Sequence, residues 1–296
     1  MRFGFVFVGA LAIASAAIAA DTALKLTPIP VTNAEWEKPY PAFHIAANLY
    51  YVGTYDLGCF LITTPEGHIL INSGVASSVP MIKASVEQLG FKFSDIKIIT
   101  ATHGHQDHVS GLGEIKRMTG ATMYIEENDL SILETGGNYD YRRPEGRGLI
   151  FEPVKVEHPF KDGDKIRLGN VELTAHLHAG HTKGATSFTY TAQENGQPVN
   201  IAILNMATVN EGVRLVNQVG YPNIAEDYAK TFAAQKLLHP DVWVGSHAGQ
   251  FDLHERHKPG DSYDPKRFSG GYQEKIAEYE KAYLARLARD KAAAQP

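Results

Sequence analysis

Four side chains able to bind a metal, His103, His105, Asp107 and His108, fall within six residues of the run Thr102-His-Gly-His-Gln-Asp-His-Val109. The run comes just after the apolar, β-type segment Ile96-Lys-Ile-Ile-Thr100. Alternate residues of an extended segment point the same way, so His103 and His105 can grip one cation. Asp107 and His108 sit at the turn that follows and point towards a second. Imidazole suits zinc, and a carboxylate beside it is common in catalytic rather than structural sites. The chemistry on offer is hydrolytic. A zinc-bound water has its pKa lowered from about 15.7 to about 7, so hydroxide exists at neutral pH without a Ser or Cys nucleophile.

Two further histidines share one local grammar. His181 lies in Ala179-Gly-His-Thr-Lys-Gly184, after the strand-like Val171–His178; His247 lies in Gly245-Ser-His-Ala-Gly249, after Val242-Trp-Val-Gly245. Glycines around each His let the backbone turn tightly and present the ring. Each sits at the end of a strand, as His103 does.

The elements that must position these residues come in two β-then-α rounds. In the first, Asn48–Val52, Phe60–Thr63 and His68–Asn72 read as a meander broken at Pro65-Glu-Gly67. Ser78–Leu89 is spaced as a helix capped by Gly90, and Ile96–Ala101 is a strand. A helix is expected from about Val109 to Met118, then the strand Thr122–Ile125 and a short helix Glu127–Glu134. In the second round, Lys165–Leu168 and Val171–His178 flank the turn Gly169-Asn170. The strands Ala185–Thr191 and Asn200–Leu204 flank a polar loop, Gln193–Pro198, and are followed by the helix Ile224–Leu238. Val242–Gly245 is a strand and Tyr272–Lys291 a final amphipathic helix. This order suggests an α+β chain with two sheets face to face and helices outside, residues 21–296 forming one domain.

Bulk properties fit a secreted enzyme. Residues 1–20 carry Arg2, the apolar run Phe3–Ala14, and small residues ending Ala17-Ile18-Ala19-Ala20, the pattern of a signal peptide. The apolar stretch is short of the ~20 residues a membrane span needs. A soluble chain exported to a bacterial periplasm is therefore expected, with no membrane attachment after cleavage and monomer as the default. A lone cysteine, Cys59, sits in an apolar strand and reads as a small buried hydrophobe. At 44% hydrophobic and 21% charged the composition is globular. The net charge of -5 argues against nucleic-acid partners, whose binders carry a basic patch.

His-x-His-x-Asp-His, then Gly-His-Thr, then Ser-His, in this order and spacing, resembles the metallo-β-lactamase superfamily over essentially the whole mature chain. The segments Asn48–Leu57, Gly180–Gly184 and Gly245–Leu253 resemble the third subclass of true β-lactamases. That resemblance implies a four-layer αβ/βα sandwich with two zinc ions (Zn2+) per chain at one edge of the paired sheets. It places His103, His105 and His181 on the first ion, and Asp107, His108 and His247 on the second. It also makes Asp107 the catalytic residue that orients a zinc-bound hydroxide for attack on the amide of β-lactams, carbapenems included. The alternative is an exported zinc hydrolase of the same fold acting on another ester or lactone. A zinc-scavenging protein would need no such carboxylate at its metal.

One position separates these readings. Superfamily hydrolases acting on other substrates usually bring a bridging Asp from the strand between the third and last His. The matching residue here is Met206, in Ile203-Leu-Asn-Met-Ala-Thr208, and a thioether cannot bridge two such cations. The third subclass more often has Ser there, and Met206 resembles one of its branches, although that branch can replace the first motif His by Gln. Met206 is expected to pack beneath the metals. Asn72 stands where the superfamily often has Asp behind the metal loop, and is a candidate to hydrogen-bond that loop.

Two loops are candidates to face substrate. Gly136–Pro144 offers the rings of Tyr139 and Tyr141 to an apolar bicyclic body, and Val209–Arg214 offers Asn210 and Arg214. Thr208 and Asn210 loosely match family positions near the substrate carboxylate, for which Arg or an amide is a natural partner. His176 and His178 read as packing residues. His254 and His257 read as solvated, and the charge run Ala277–Arg289 as an exposed helix face.

Overall fold

Runs of branched and aromatic residues, short enough for strands and broken by glycine turns, build two sheets in the computed structural model, which describes residues 25–142 and 148–295. The expected leader, residues 1–20, lies outside the described residues. Strands β1 (Phe43–Ala46), β2 (Leu49–Tyr51), β3 (Phe60–Thr64), β4 (Gly67–Ile71), β5 (Ile96–Thr100), β6 (Thr122–Glu126) and β7 (His158–Phe160) lie side by side in that order. Pairing is antiparallel as far as β4 and parallel from there on. Parallel neighbours need a crossover. Helix α1 (Val79–Gln88) supplies the first, and α2 (Gln106–Val109) with α3 (Leu112–Thr119) the second; α4 (Leu130–Glu134) follows β6.

The second sheet holds β8 (Lys165–Leu168), β9 (Val171–Leu177), β10 (Thr186–Glu194) and β11 (Gln197–Leu204) as an antiparallel meander. Helix α5 (Ile224–Gln235) then crosses over to β12 (Val242–Gly245), which pairs parallel with β11. Helices α6 (Leu253–Arg256) and α7 (Tyr272–Ala293) complete the chain.

Side chains alternate across each strand. In β3 and β4, Phe60, Ile62, Ile69 and Ile71 face inwards to meet Leu173, Phe188, Ile201 and Ile203 of the second sheet. Leu61 and Leu70 face outwards, onto Val79, Ile82 and Val86 of α1 and Leu112 and Ile115 of α3. Tyr228 and Phe232 of α5 pack with Tyr283 of α7 in the outer helical layer. Burying each large apolar side chain contributes about 1.5–3 kcal/mol, so the paired sheets form a stiff platform. The four-layer αβ/βα sandwich expected from the sequence is the fold.

Several local expectations need correction. The polar loop Gln193–Pro198 is two strand ends joined at Asn195-Gly196, both with positive φ (52° and 79°), the backbone a two-residue hairpin needs. The helix expected from Val109 is split in two, and Asp107 and His108 lie inside α2 rather than before it. His257 is not solvated: it is buried and stacks on Phe43 with ring centroids 3.7 Å apart. His254 stacks on Tyr55. The last helix also does more than face solvent, because Arg286 and Asp290 bind the backbone of Val213 and Leu215.

Candidate metal centre

The histidine-bearing loops meet where β5, β9 and β12 end. Asn72, the residue after β4, is buried in the left-handed region (φ 65°), which Asn tolerates better than most residues. Its Oδ1 accepts from the Thr102 backbone N–H at 2.9 Å, and its Nδ2 donates to the Gly58 carbonyl at 3.0 Å. Thr102 Oγ1 lies 2.9 Å from Ser246 Oγ, next to His247. The Thr102 carbonyl accepts from the Thr186 N–H of the other sheet at 2.7 Å. The backbone entering the metal run is thus fixed from both sheets. His105 is the extended residue that opens α2, so Asp107 and His108 fall in that helix's first turn.

His103, His105 and His181 bring donor atoms within 4.8 Å of one another, and His103 stands equally close to Asp107 and His108. The two groups are contiguous through His103. Nε2 of His108 lies 3.2 Å from Asp107 Oδ2 and 3.2 Å from His247 Nε2, which is itself 3.4 Å from Asp107 Oδ2. Two ligands about 2.0–2.2 Å from a tetrahedral zinc are roughly 3.3 Å apart, so this triangle has the edge a zinc ion requires. His181 Nδ1 is taken by the Thr208 carbonyl at 2.7 Å and His247 Nδ1 by Asp56 at 3.0 Å, leaving each Nε2 for a metal. Nε2 of His103 is buried without a hydrogen-bond partner, an arrangement costing about 1–3 kcal/mol unless something binds it. The donor set fits zinc.

Electrostatics agree for the three-histidine group. Burial, reinforced by neighbouring rings, drives His103 well below the usual imidazole range. Burial and the Arg142 charge do the same to His105. Burial lowers His181 to about 4, against the hydrogen bond to Thr208. These rings are neutral, as metal ligands must be. Burial would raise the Asp107 carboxyl, but His108 and His247 outweigh it and hold it well below the carboxylate range. Burial opposes charge on His247 too, yet Asp107 and Asp56 raise it to about 9.

The residues expected to face substrate separate. Tyr139 is 67% exposed. Tyr141 is 7% exposed, packs edge-on against Tyr221, and its hydroxyl donates to the His181 carbonyl at 3.3 Å. Its ring therefore offers little wall to a ligand and instead supports the His181 loop. Thr208 meets His181 through both its carbonyl and its hydroxyl. Asn210 is half-buried, and Arg214 is exposed, near Asp290 of α7. Met206 is buried in the intersheet core.

Three carboxylates went unread in the sequence. Asp56 binds His247 and also accepts from Trp36 Nε1 at 3.0 Å. Asp140, buried and paired with Arg142, lies 3.6 Å from His105 Nε2. Asp129, buried, accepts from Gly104 and Gly184 backbone N–H groups and from Thr182. Asp56 and Asp140 stand inside segments already marked by their motifs or tyrosines. No short-range spacing ties any of the three to a histidine.

A histidine-rich metal centre at one end of an αβ/βα sandwich is the equipment of a metal-dependent hydrolase. The pattern of the metallo-β-lactamase superfamily matches residues 59–194. The structure is similar to that of the metallo-β-lactamase GOB-18 from Elizabethkingia meningoseptica, with 42% identity, TM-score 0.87, and 90% of this chain and 100% of that one covered. It is also similar to the class B3 di-zinc metallo-β-lactamase LRA-12 from an Alaskan soil metagenome, with 43% identity, TM-score 0.85, and coverage of 88% and 100%. Among curated relatives is an N-acyl homoserine lactonase from Azorhizobium caulinodans, 27% identical over 167 residues, 46% of this chain and 60% of the relative. The chain spans about half the length of the curated relatives it matches. The chain belongs to the metallo-β-lactamase superfamily, and the solved structures it resembles include subclass B3 enzymes.

Proposed function

We propose that this protein is a zinc β-lactamase, opening the amide of β-lactam antibiotics, carbapenems included, and so conferring resistance. One observation carries the reading. Two three-donor groups, contiguous through His103, contain one carboxylate between them, Asp107, with the buried Met206 where ester-cleaving relatives bring a second. His103, His105 and His181 would hold one ion, and Asp107, His108 and His247 the other. When bound, two zinc ions supply water activation at neutral pH and polarisation of a carbonyl.

The chain's own residues do the rest. Asp107 is ionised and turns Oδ2 towards His108 and His247, which leaves Oδ1 to accept a hydrogen bond from an attacking water and orient it. The Thr208 carbonyl and Asp56 fix the tautomers of His181 and His247. Tyr139 offers an exposed ring to the substrate body. Asn210 is the remaining amide for its carboxylate, because Thr208 is engaged with His181. The leader pattern of residues 1–20 supports export to the periplasm. No helix among the described residues is long and apolar enough to cross a membrane.

The test is hydrolysis of a carbapenem and a cephalosporin by the purified protein, with and without a chelator. Turnover abolished by the chelator and restored by zinc is the expected result. Two bound zincs with no turnover, but with cleavage of acyl homoserine lactones, would replace this reading with the lactonase one.

A further inference from the structure

Asp129 stands at the N-cap of α4, where an Asp side chain normally accepts from its own helix's N–H groups. It makes no such bond. Its carboxylate, fully buried, is turned outwards from the helix. Oδ2 accepts from the Gly104 N–H at 2.8 Å and from Thr182 Oγ1 at 2.6 Å, and Oδ1 accepts from the Gly184 N–H at 2.9 Å. Gly104 lies between His103 and His105; Thr182 follows His181. One carboxylate thus spans the two loops carrying the three-histidine group and touches none of the second group.

The surroundings are shaped for this contact. A Cβ on Gly184 would stand 2.7 Å from the Asp129 backbone N and 2.8 Å from its Cγ, so only glycine permits the approach. Burial pushes the Asp129 carboxyl up to about 6, against the pull of its three donors.

We infer that Asp129 is a positioning residue that sets zinc affinity at His103, His105 and His181 selectively, by holding their two loops in register. The inference rests on the proposed assignment of those three histidines to one ion. Removing an outer partner of a metal site typically costs about 10–100-fold in affinity.

The test measures both zinc affinities of the full chain by competition with a chromophoric chelator, with the absorption spectrum of the cobalt-substituted protein as a second readout. Asp129→Asn and Thr182→Val should each weaken one ion by about 10–100-fold and leave the other within about twofold. Thr182→Ser, which keeps the hydroxyl, should restore it. Asp56→Asn should weaken the other ion, which identifies the two. Thr182→Val removes one hydroxyl only, so the question stays open to test if Asp129→Asn fails to fold. Equal weakening of both ions, or of neither in a folded variant, would overturn the inference. A wild-type protein that takes up no zinc at the three histidines would overturn the ligand assignment itself.

Discussion

Nδ1 of His247 lies 3.0 Å from Oδ2 of Asp56, across 191 positions of sequence. The bond commits one ring nitrogen and aims the other at Asp107 and His108. Asp56 is fixed in turn by Trp36 and by its own carbonyl, which accepts from the Ala248 N–H at 2.7 Å. Asp56→Ala should therefore weaken the ion held by Asp107, His108 and His247 by about 10–100-fold. Zinc titration against a chelator reads this directly. Unchanged affinity would mean that the first turn of α2 aims these ligands unaided.

Asp107 carries two duties in the proposed mechanism, as a ligand and as the hydrogen-bond acceptor that orients the attacking water. Asp107→Asn keeps the shape and removes the charge. Activity should fall at least about a hundredfold, while the melting curve shows a folded chain. Near-normal turnover in the zinc-loaded variant would remove Asp107 from the catalytic role.

How much of this centre could be read in advance depended on range in sequence. His103 to His108 declare themselves because four metal-binding side chains crowd into six residues after a strand, and His181 and His247 because glycines surround strand-end histidines. Asp56, Asp129 and Asp140 act across the fold, so nothing in local spacing marks them. The same holds for Tyr141: an aromatic residue in a glycine-rich loop looks like a ligand wall until its partner, Tyr221, is known. Among the strands, β7 escaped because His158-Pro-Phe160 has neither length nor alternation. Its proline is tolerated because β7 is the edge of its sheet. The Asn195-Gly196 turn, by contrast, was legible and was hidden only by the polar residues beside it.

The last helix holds the loop expected near substrate. Asp290 accepts from the Leu215 N–H at 2.7 Å and pairs with Arg286, whose guanidinium donates to the Val213 carbonyl. A hydrogen bond to a charged group is worth about 1.5–3 kcal/mol. Asp290→Ala should speed amide hydrogen exchange at Leu215 by roughly tenfold or more, and raise KM more than it lowers kcat. Unchanged exchange at Leu215 would show that Leu215's own buried side chain is enough to hold the loop.

His178, three residues before His181, gives the fold a pH dependence of its own. The ring is buried; its Nδ1 lies 2.7 Å from Ser187 Oγ and 3.3 Å from Gln235 Nε2, and His176 stacks nearby. Burial first, and the His176 charge second, lower it from 6.5 to about 3. The unfolded chain therefore binds a proton below about pH 6.5 that the folded chain refuses until about pH 3. Stability from this group is full above pH 6.5 and is lost as pH falls, at about 1.4 kcal/mol per unit. His178→Asn keeps a polar partner and removes the titration. Between pH 7 and pH 5, at equal free zinc, the wild type should lose about 2 kcal/mol more unfolding free energy than the variant. Terms from the other histidines are common to both proteins and cancel. Parallel losses in urea titrations at the two pH values would mean that His178 takes up its proton within the fold, with the Ser187 network opening to admit it.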